Sequence, residues 1–279
     1  MRCAAEAYGA AGYEVVGTAT SGQAARTLGR EADLAQSRTV ASLLWRLDHR
    51  TLELTPRHVV VLDEAGMTDD GDMLRLLTAC DVAKAKVILV GDHRQLGPVG
   101  PGGALRALLN RHHGIVHVLS ENIRQDDPNE REALRQLRGG KVAEAVAWYA
   151  ENDRIRITPD AHEGLRATVD AWYADVCAGR DAAMYAWRRT SVDALNRIAR
   201  DRFALDGRLT GPDLAAPGGR HYSTGDRIVT LAPAADGQVV TSERGEVESV
   251  DVHRRSLVVR MDDGRFERLE GDDLAKDRL

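Results

Sequence analysis

The sequence predicts an α/β fold of parallel sheets covered by helices on both faces, followed by a small β-barrel. Three observations predict it. Short apolar runs alternate with helix-period segments from Glu14 to Leu205. Two of those runs, Val59-Val60-Val61-Leu62 and Val87-Ile88-Leu89-Val90, are apolar throughout, as strands buried on both faces are. After Gly207 the texture changes to glycines, prolines and short β-prone runs.

The elements follow in order. Residues 1–12 are alanine-rich and close at Gly9 and Gly12, like the tail of a helix. Glu14–Thr18 reads as a short buried strand. Ser21–Glu31 has helix-start chemistry, with Thr20 or Ser21 as the cap. Thr39–Asp48 places Val40, Leu43, Leu44 and Leu47 at helical spacing. A strand at 58–62, a helix around 70–80 and a strand at 86–90 come next. Gly91 to Gly103 is a glycine- and proline-rich loop, Ala104–Asn110 is helical, and Ile115–Leu119 is expected as a further strand. Helices are expected at 128–138 and 141–151, a strand at Arg154–Ile157, a helix at 161–178, a strand at 182–187 and a helix at Ser191–Leu205. That helix would turn Leu195, Ile198, Ala199 and Phe203 inward. Strands at Arg227–Leu231, Gly245–Val250, Leu257–Met261 and Phe266–Leu269 complete the barrel, with Asp262-Asp263-Gly264 as a hairpin turn.

Composition narrows the class. At 279 residues the chain holds one large domain or two ordinary ones with a proper core. Its net charge of −5 means that contacts to nucleic acid must come from local clusters rather than global attraction. Cys3, Cys80 and Cys177 are far apart and form no CxxC pair, which argues against a zinc site and a disulfide framework. No apolar run reaches the ~18 residues of a membrane span, and the start lacks a signal-peptide core. A cytoplasmic soluble protein is the expectation.

Four motifs carry chemistry. In the first, a strand ends in Asp63-Glu64 at the carboxyl edge of a parallel sheet, where such sheets bind ligands. Asp63 suits Mg²⁺, a hard cation that takes oxygen ligands, and Glu64 suits a base for an attacking water. In the second, Gly91-Asp92-His93-Arg94-Gln95-Leu96 ends the next strand. There Gln95 could sense a terminal phosphate, and Asp92 could brace the loop or a metal-bound water. Third, Thr18-Ala19-Thr20-Ser21-Gly22 runs from a strand into a helix N-terminus. It reads either as an anion grip for a DNA phosphate through Thr18, Thr20 and Ser21 or as an ordinary helix cap. Fourth, Arg124, in Asn122-Ile123-Arg124-Gln125, is placed to act as an arginine finger. Trp45, Trp148, Trp172 and Trp187 could stack bases, but their contexts favour packing.

In this order the motifs resemble those of superfamily-1 DNA helicases of the RecD-like group, and more closely the helicase part of conjugative relaxases of the TraA/MobF type. Arg38-Thr39-Val40-Ala41-Ser42-Leu43-Leu44, Leu134-Arg135-Gln136-Leu137-Arg138 and Tyr222-Ser223-Thr224-Gly225-Asp226-Arg227 add to the match. The resemblance implies RecA-like P-loop NTPase motor domains at 1–122 and 123–206 and an SH3-like barrel insertion at 207–279. It implies ATP with Mg²⁺, single-stranded DNA and other conjugation proteins as partners, and 5′→3′ movement. It assigns Mg²⁺ to Asp63, the base to Glu64, γ-phosphate contacts to Gln95 and Arg124, and DNA contacts to Thr18, Thr20 and Ser21. The group's glycine-rich loop ending in Lys-[Ser/Thr] is expected ahead of residue 1, because the first lysine is Lys84. Its last motifs are expected beyond Leu279. The chain therefore reads as a fragment that hydrolyses ATP poorly by itself, or alternatively as a non-catalytic DNA- or partner-binding module.

Overall fold

The computed structural model describes residues 1–217, 219–232, 239, 241–274 and 279. They form two compact units, one built on Met1–Ser120 and the other on the chain from Glu121 onward.

The first unit is a parallel sheet with helices packed on it. Its elements are α1 (Arg2–Ala10), β1 (Glu14–Ala19), α2 (Gly22–Ala32), β2 (Gln36–Thr39), α3 (Val40–Asp48), β3 (His58–Leu62), α4 (Asp70–Ala83), β4 (Lys86–Leu89) and α5 (Ala104–Arg111). The strand order is β2-β1-β3-β4, parallel throughout, with Val16 beside Val60 and Val61 beside Ile88. Period-2 alternation sends Val16, Val60 and Leu62 into one core with Leu43, Met73 and Leu76. All five residues of β3 are buried, which is why that run carries no polar residue between His58 and Asp63.

Local chemistry sets the helix starts. Ser21 Oγ accepts from the Ala24 amide, Thr39 Oγ1 from the Ser42 amide, and Asp69 Oδ1 from the Asp72 amide. Each satisfies one orphan amide of its first turn. Asp70 and Asp72 in the first turn of α4 also suit its dipole. Cys80 lies in the core, where burial pushes its thiol up to about 11, so it behaves as a small apolar group. The sequence pattern misses β2. Gln-Ser-Arg-Thr is polar because β2 is a half-buried edge strand, with the Ser37 hydroxyl donating to the Ala25 carbonyl.

The second unit holds α6 (Pro128–Arg138), α7 (Val142–Glu151), α8 (Ala161–Cys177) and α9 (Arg189–Leu205). The Asp127 carboxylate caps α6, with Pro128 in the first turn where a missing N–H costs nothing. Leu195, Ala199 and Phe203 of α9 are buried as expected, and Ile198 packs beside them.

Three expected strands do not form among the described residues. Ile115 ends a 3₁₀ turn and 116–119 are irregular. Residues 154–157 and 182–187 are likewise unpaired. Val118, Leu119 and Ile157 are exposed, and Trp187 is 97% exposed rather than packed. A β-prone run becomes a strand only when a neighbour takes its backbone hydrogen bonds, and no described residue does so here.

The small module carries more strands than its sequence showed. β5 (Thr210–Ala216) and β6 (Arg220–Thr224) form an antiparallel ribbon. β7 (Arg227–Val229), β8 (Arg244–Asp251), β9 (Ser256–Met261) and β10 (Phe266–Glu270) form a sheet of order β10-β9-β8-β7. Leu214 and Tyr222 of the ribbon share one core with Val247, Leu257, Val259 and Leu269 of the sheet, as in a small barrel. The predicted Asp262-Asp263-Gly264 turn is present: the Met261 amide donates to the Arg265 carbonyl, and Gly264 has φ +87°. No helix among the described residues is long and apolar enough to cross a membrane.

Candidate active site

The carboxyl ends of β3 and β4 lie side by side in the sheet, and their following loops are hydrogen-bonded together. The Val90 amide donates to the Leu62 carbonyl, and the Ala65 amide returns to the Val90 carbonyl, both at 2.8 Å. On the other flank the Asp63 amide donates to the Thr18 carbonyl at 2.8 Å, joining the site to β1. Asp63 and Glu64, half-buried, therefore leave the sheet beside the loop that carries Asp92 and Gln95.

The Asp63–Glu64 turn is sharp. Glu64 sits in the left-handed region at φ 50°, ψ 40°, a conformation that costs a residue with a Cβ of order 1 kcal/mol. Its amide donates to Asp63 Oδ1 at 3.0 Å. The turn is held because two glycines let the loops touch. A Cβ on Gly91 would lie 2.9 Å from the Ala65 nitrogen and 3.1 Å from the Gly66 nitrogen. One on Gly66 would lie 3.1 Å from the Asp92 carbonyl oxygen. Gly91→Ala must therefore push the two loops apart. It is expected to destabilise the first unit by about 1–3 kcal/mol, read as a lower denaturant midpoint.

In the second loop Asp92 works on the backbone. Its Oδ1 accepts from the Arg94 amide at 3.0 Å, and its carbonyl accepts from the Gln95 amide at 3.1 Å. Arg106 of α5 donates to the His93 carbonyl at 3.2 Å. The Gln95 side chain is exposed. The donor set fits a hard cation only in part. Among the described residues no three His, Cys, Asp or Glu side chains converge, so Asp63 would share Mg²⁺ with phosphate oxygens and water.

At the end of β1 the structure separates the three expected DNA contacts. Thr20 and Ser21 are exposed. Thr18 is fully buried, on the Val16 side of the strand, and its hydroxyl has no partner. A side chain with no accessible surface cannot grip a strand, so Thr18 is corrected from contact to core. The Ser21 hydroxyl is occupied as the cap of α2. Arg38, which the sequence showed only inside a motif match, lies in β2 directly beside Thr18 in register. Burial first, then neighbouring Arg46, pull its pKa down, yet a guanidinium stays charged. Finding it required β2, which its polarity conceals.

Arg124 belongs to the second unit. It is exposed; its amide donates to Asn122 Oδ1 at 3.0 Å, and the Asn122 side chain donates to Gln125 Oε1 at 2.7 Å.

A family model described as an AAA domain matches residues 1–160. A probable conjugal transfer protein TraA of Sinorhizobium fredii is 33% identical, over 93% of this chain and 24% of its own length. A conjugal transfer protein TraA of Agrobacterium fabrum is 36% identical, over 83% of this chain and 21% of its own. The ATP-dependent RecD2 DNA helicase of Deinococcus radiodurans is 39% identical, over 55% of this chain and 21% of its own. The chain thus spans less than a quarter of these relatives. Among solved structures, Bacteroides Pif1 bound to single-stranded DNA superposes with a TM-score of 0.55 at 15% identity, covering 95% of this chain and 66% of that one.

Proposed function

The chain belongs to the AAA domain family, and from that premise we propose that it is part of an ATP-driven, single-stranded-DNA motor of conjugative transfer. The observation that supports this most is the hydrogen-bonded pair of loops, which puts Asp63, Glu64, Asp92 and Gln95 at one sheet edge. The names of the relatives supply the rest: two are conjugal transfer proteins and one is an ATP-dependent helicase.

In this reading Glu64 orients the attacking water and takes its proton. Gln95 donates its amide to the terminal phosphate or to that water. Asp92 holds the Gln95 loop in shape through the Arg94 and Gln95 amides. Asp63 would hold Mg²⁺, which supplies charge neutralisation at the phosphates when bound. Arg124 of the second unit is the proposed arginine finger. Thr20, Ser21 and Arg38 would hold the DNA backbone without reading sequence, and movement would run 5′→3′.

Equilibrium binding of a labelled oligothymidylate tests the DNA edge. Arg38→Ala is expected to weaken binding about threefold to tenfold and to lower the salt slope by about 1. Thr18→Val should leave affinity unchanged and raise stability by about 1 kcal/mol, because it removes a buried, unpaired hydroxyl. Affinity that falls with Thr18→Val and holds with Arg38→Ala would reverse the assignment.

A further inference from the structure

An open cavity of about 800 Å³ lies between α9 and the strands of the small module, wholly within the second unit. That volume is of the size that takes a whole small ligand. The apolar and aromatic part of its lining is made by Trp172, Phe203, Met184 and Ile228. The Trp172 and Phe203 rings stack with centroids 5.4 Å apart and planes 24° apart. The Trp172 indole N–H donates to the Ala182 carbonyl at 3.0 Å, which fixes the ring and leaves it no free polar atom.

Five arginines, Arg197, Arg200, Arg220, Arg227 and Arg244, line it as well. Arg200 is committed to Asp213 and Asp226, and Arg244 to Asp181 and Asp262. Arg197 of α9 and Arg227 of β7 also line the cavity, and neither makes an ion pair with any described residue. Asp193 and Asp201 line it too, so it is not a sink for every anion. An aromatic lining together with two guanidinium groups outside any ion pair suits a ligand that joins an aromatic plane to a phosphate.

We propose that this cavity binds a nucleotide, with its base against Trp172 and its phosphate on Arg197 and Arg227. Two sources share that chemistry: one residue of a single DNA strand, and a free mononucleotide. The site lies outside the Asp63–Glu64 centre and stands whether or not that centre turns over ATP.

The test titrates the 279-residue chain with two probes, a labelled oligothymidylate and thymidine 5′-monophosphate. The double variant Arg197→Glu/Arg227→Glu is expected to lose about tenfold or more in affinity, and the salt slope for the strand should fall by about 2. Arg197→Lys/Arg227→Lys should keep most of the binding, which separates lost charge from lost fold. Loss confined to the oligothymidylate assigns the site to a strand, and loss confined to the monophosphate assigns it to a free nucleotide. If neither probe binds wild type, or the glutamate pair binds both as wild type does, the proposal is overturned. Strand binding that falls with Arg38→Ala, while the glutamate pair binds both probes as wild type does, would overturn this site and leave the sheet-edge reading intact.

Discussion

With a phosphate-binding loop joined to the chain, Glu64→Gln is expected to lower DNA-stimulated ATP turnover by about 10²–10⁴-fold. The amide keeps the shape and hydrogen-bonding reach of the carboxylate but cannot take a proton. Nucleotide affinity should therefore stay within a few-fold of wild type, and kcat should carry the loss. The backbone sharpens the expectation. Glu64 is held at φ 50° by loops that bond through Ala65 and Val90, so strain is stored where one side chain must be aimed. Glu64→Gly would relax that strain and also remove the base, raising stability while abolishing turnover. Steady-state kinetics with saturating single-stranded DNA, alongside denaturant melts of the same variants, separates the two effects.

The largest effect on stability is expected at Asp226, outside the active site. Its carboxylate accepts from the Ser223 amide at 2.7 Å and from Arg200 Nε at 3.2 Å on both oxygens. Arg200 also donates to Asp213 at 2.6 Å and to Ser223 Oγ at 3.1 Å, and His221 bonds the other Asp213 oxygen. This network ties α9 to β5 and β6. Asp226→Ala strands a buried amide and half of a mostly buried guanidinium, so the second unit should lose about 3 kcal/mol. Asp251→Ala, which breaks the exposed pair with Arg254, should shift the denaturant midpoint far less. Chemical denaturation of both variants checks the contrast.

The same network sets a pH dependence. Burial raises the Asp226 pKa despite its donors. Burial also works against the Asp213 carboxylate, but the hydrogen bonds from His221, Ser223 and Arg200 outweigh it and hold that pKa below 3.8. A raised acid pKa means that stability grows as pH falls through the folded value. A lowered one means that stability is present above 3.8 and lost as pH falls below it. Acid should thus first relieve Asp226 and only afterwards undo Asp213. Asp226→Asn is expected to remove the first phase and leave the second.

The sequence exposed those parts of the fold whose local signal needs no partner. β3 and β4 are apolar runs that end in acid or Gly-Asp. Ser21, Thr39 and Asp69 are visible as caps, and Asp262-Asp263-Gly264 is visible as a hairpin. Elements defined by their neighbours stayed hidden. β2 is polar because it lies at the sheet edge, β5 contains Gly211 and Pro212, and Gly219 directly precedes β6. The runs at 115–119, 154–157 and 182–187 looked like strands, but nothing described pairs with them. Four candidate residues, Asp63, Glu64, Asp92 and Gln95, were legible because each follows a strand at the ligand-binding edge. The burial of Thr18 was legible too, since it shares a strand face with Val16. The motif's surface role obscured that alternation. The left-handed turn at Glu64 left no trace in the sequence, because a glutamate there gives no sign of positive φ.

We propose the Asp63–Glu64 and Asp92–Gln95 loops as the hydrolytic half of an ATP site, to be completed by a phosphate-binding loop. It is tested most directly by measuring ATP turnover, with single-stranded DNA present, in two proteins. One is the chain as it stands. The other is the chain extended at Met1 by a strand, a Gly-x-x-x-x-Gly-Lys-Thr loop and the start of a helix, taken from the RecD2 relative. Background turnover is expected in the first, DNA-stimulated turnover in the second, and its loss on Glu64→Gln. Robust turnover by the unextended chain that survives Glu64→Gln would contradict it, as would an extended chain that folds and binds ATP but never hydrolyses it.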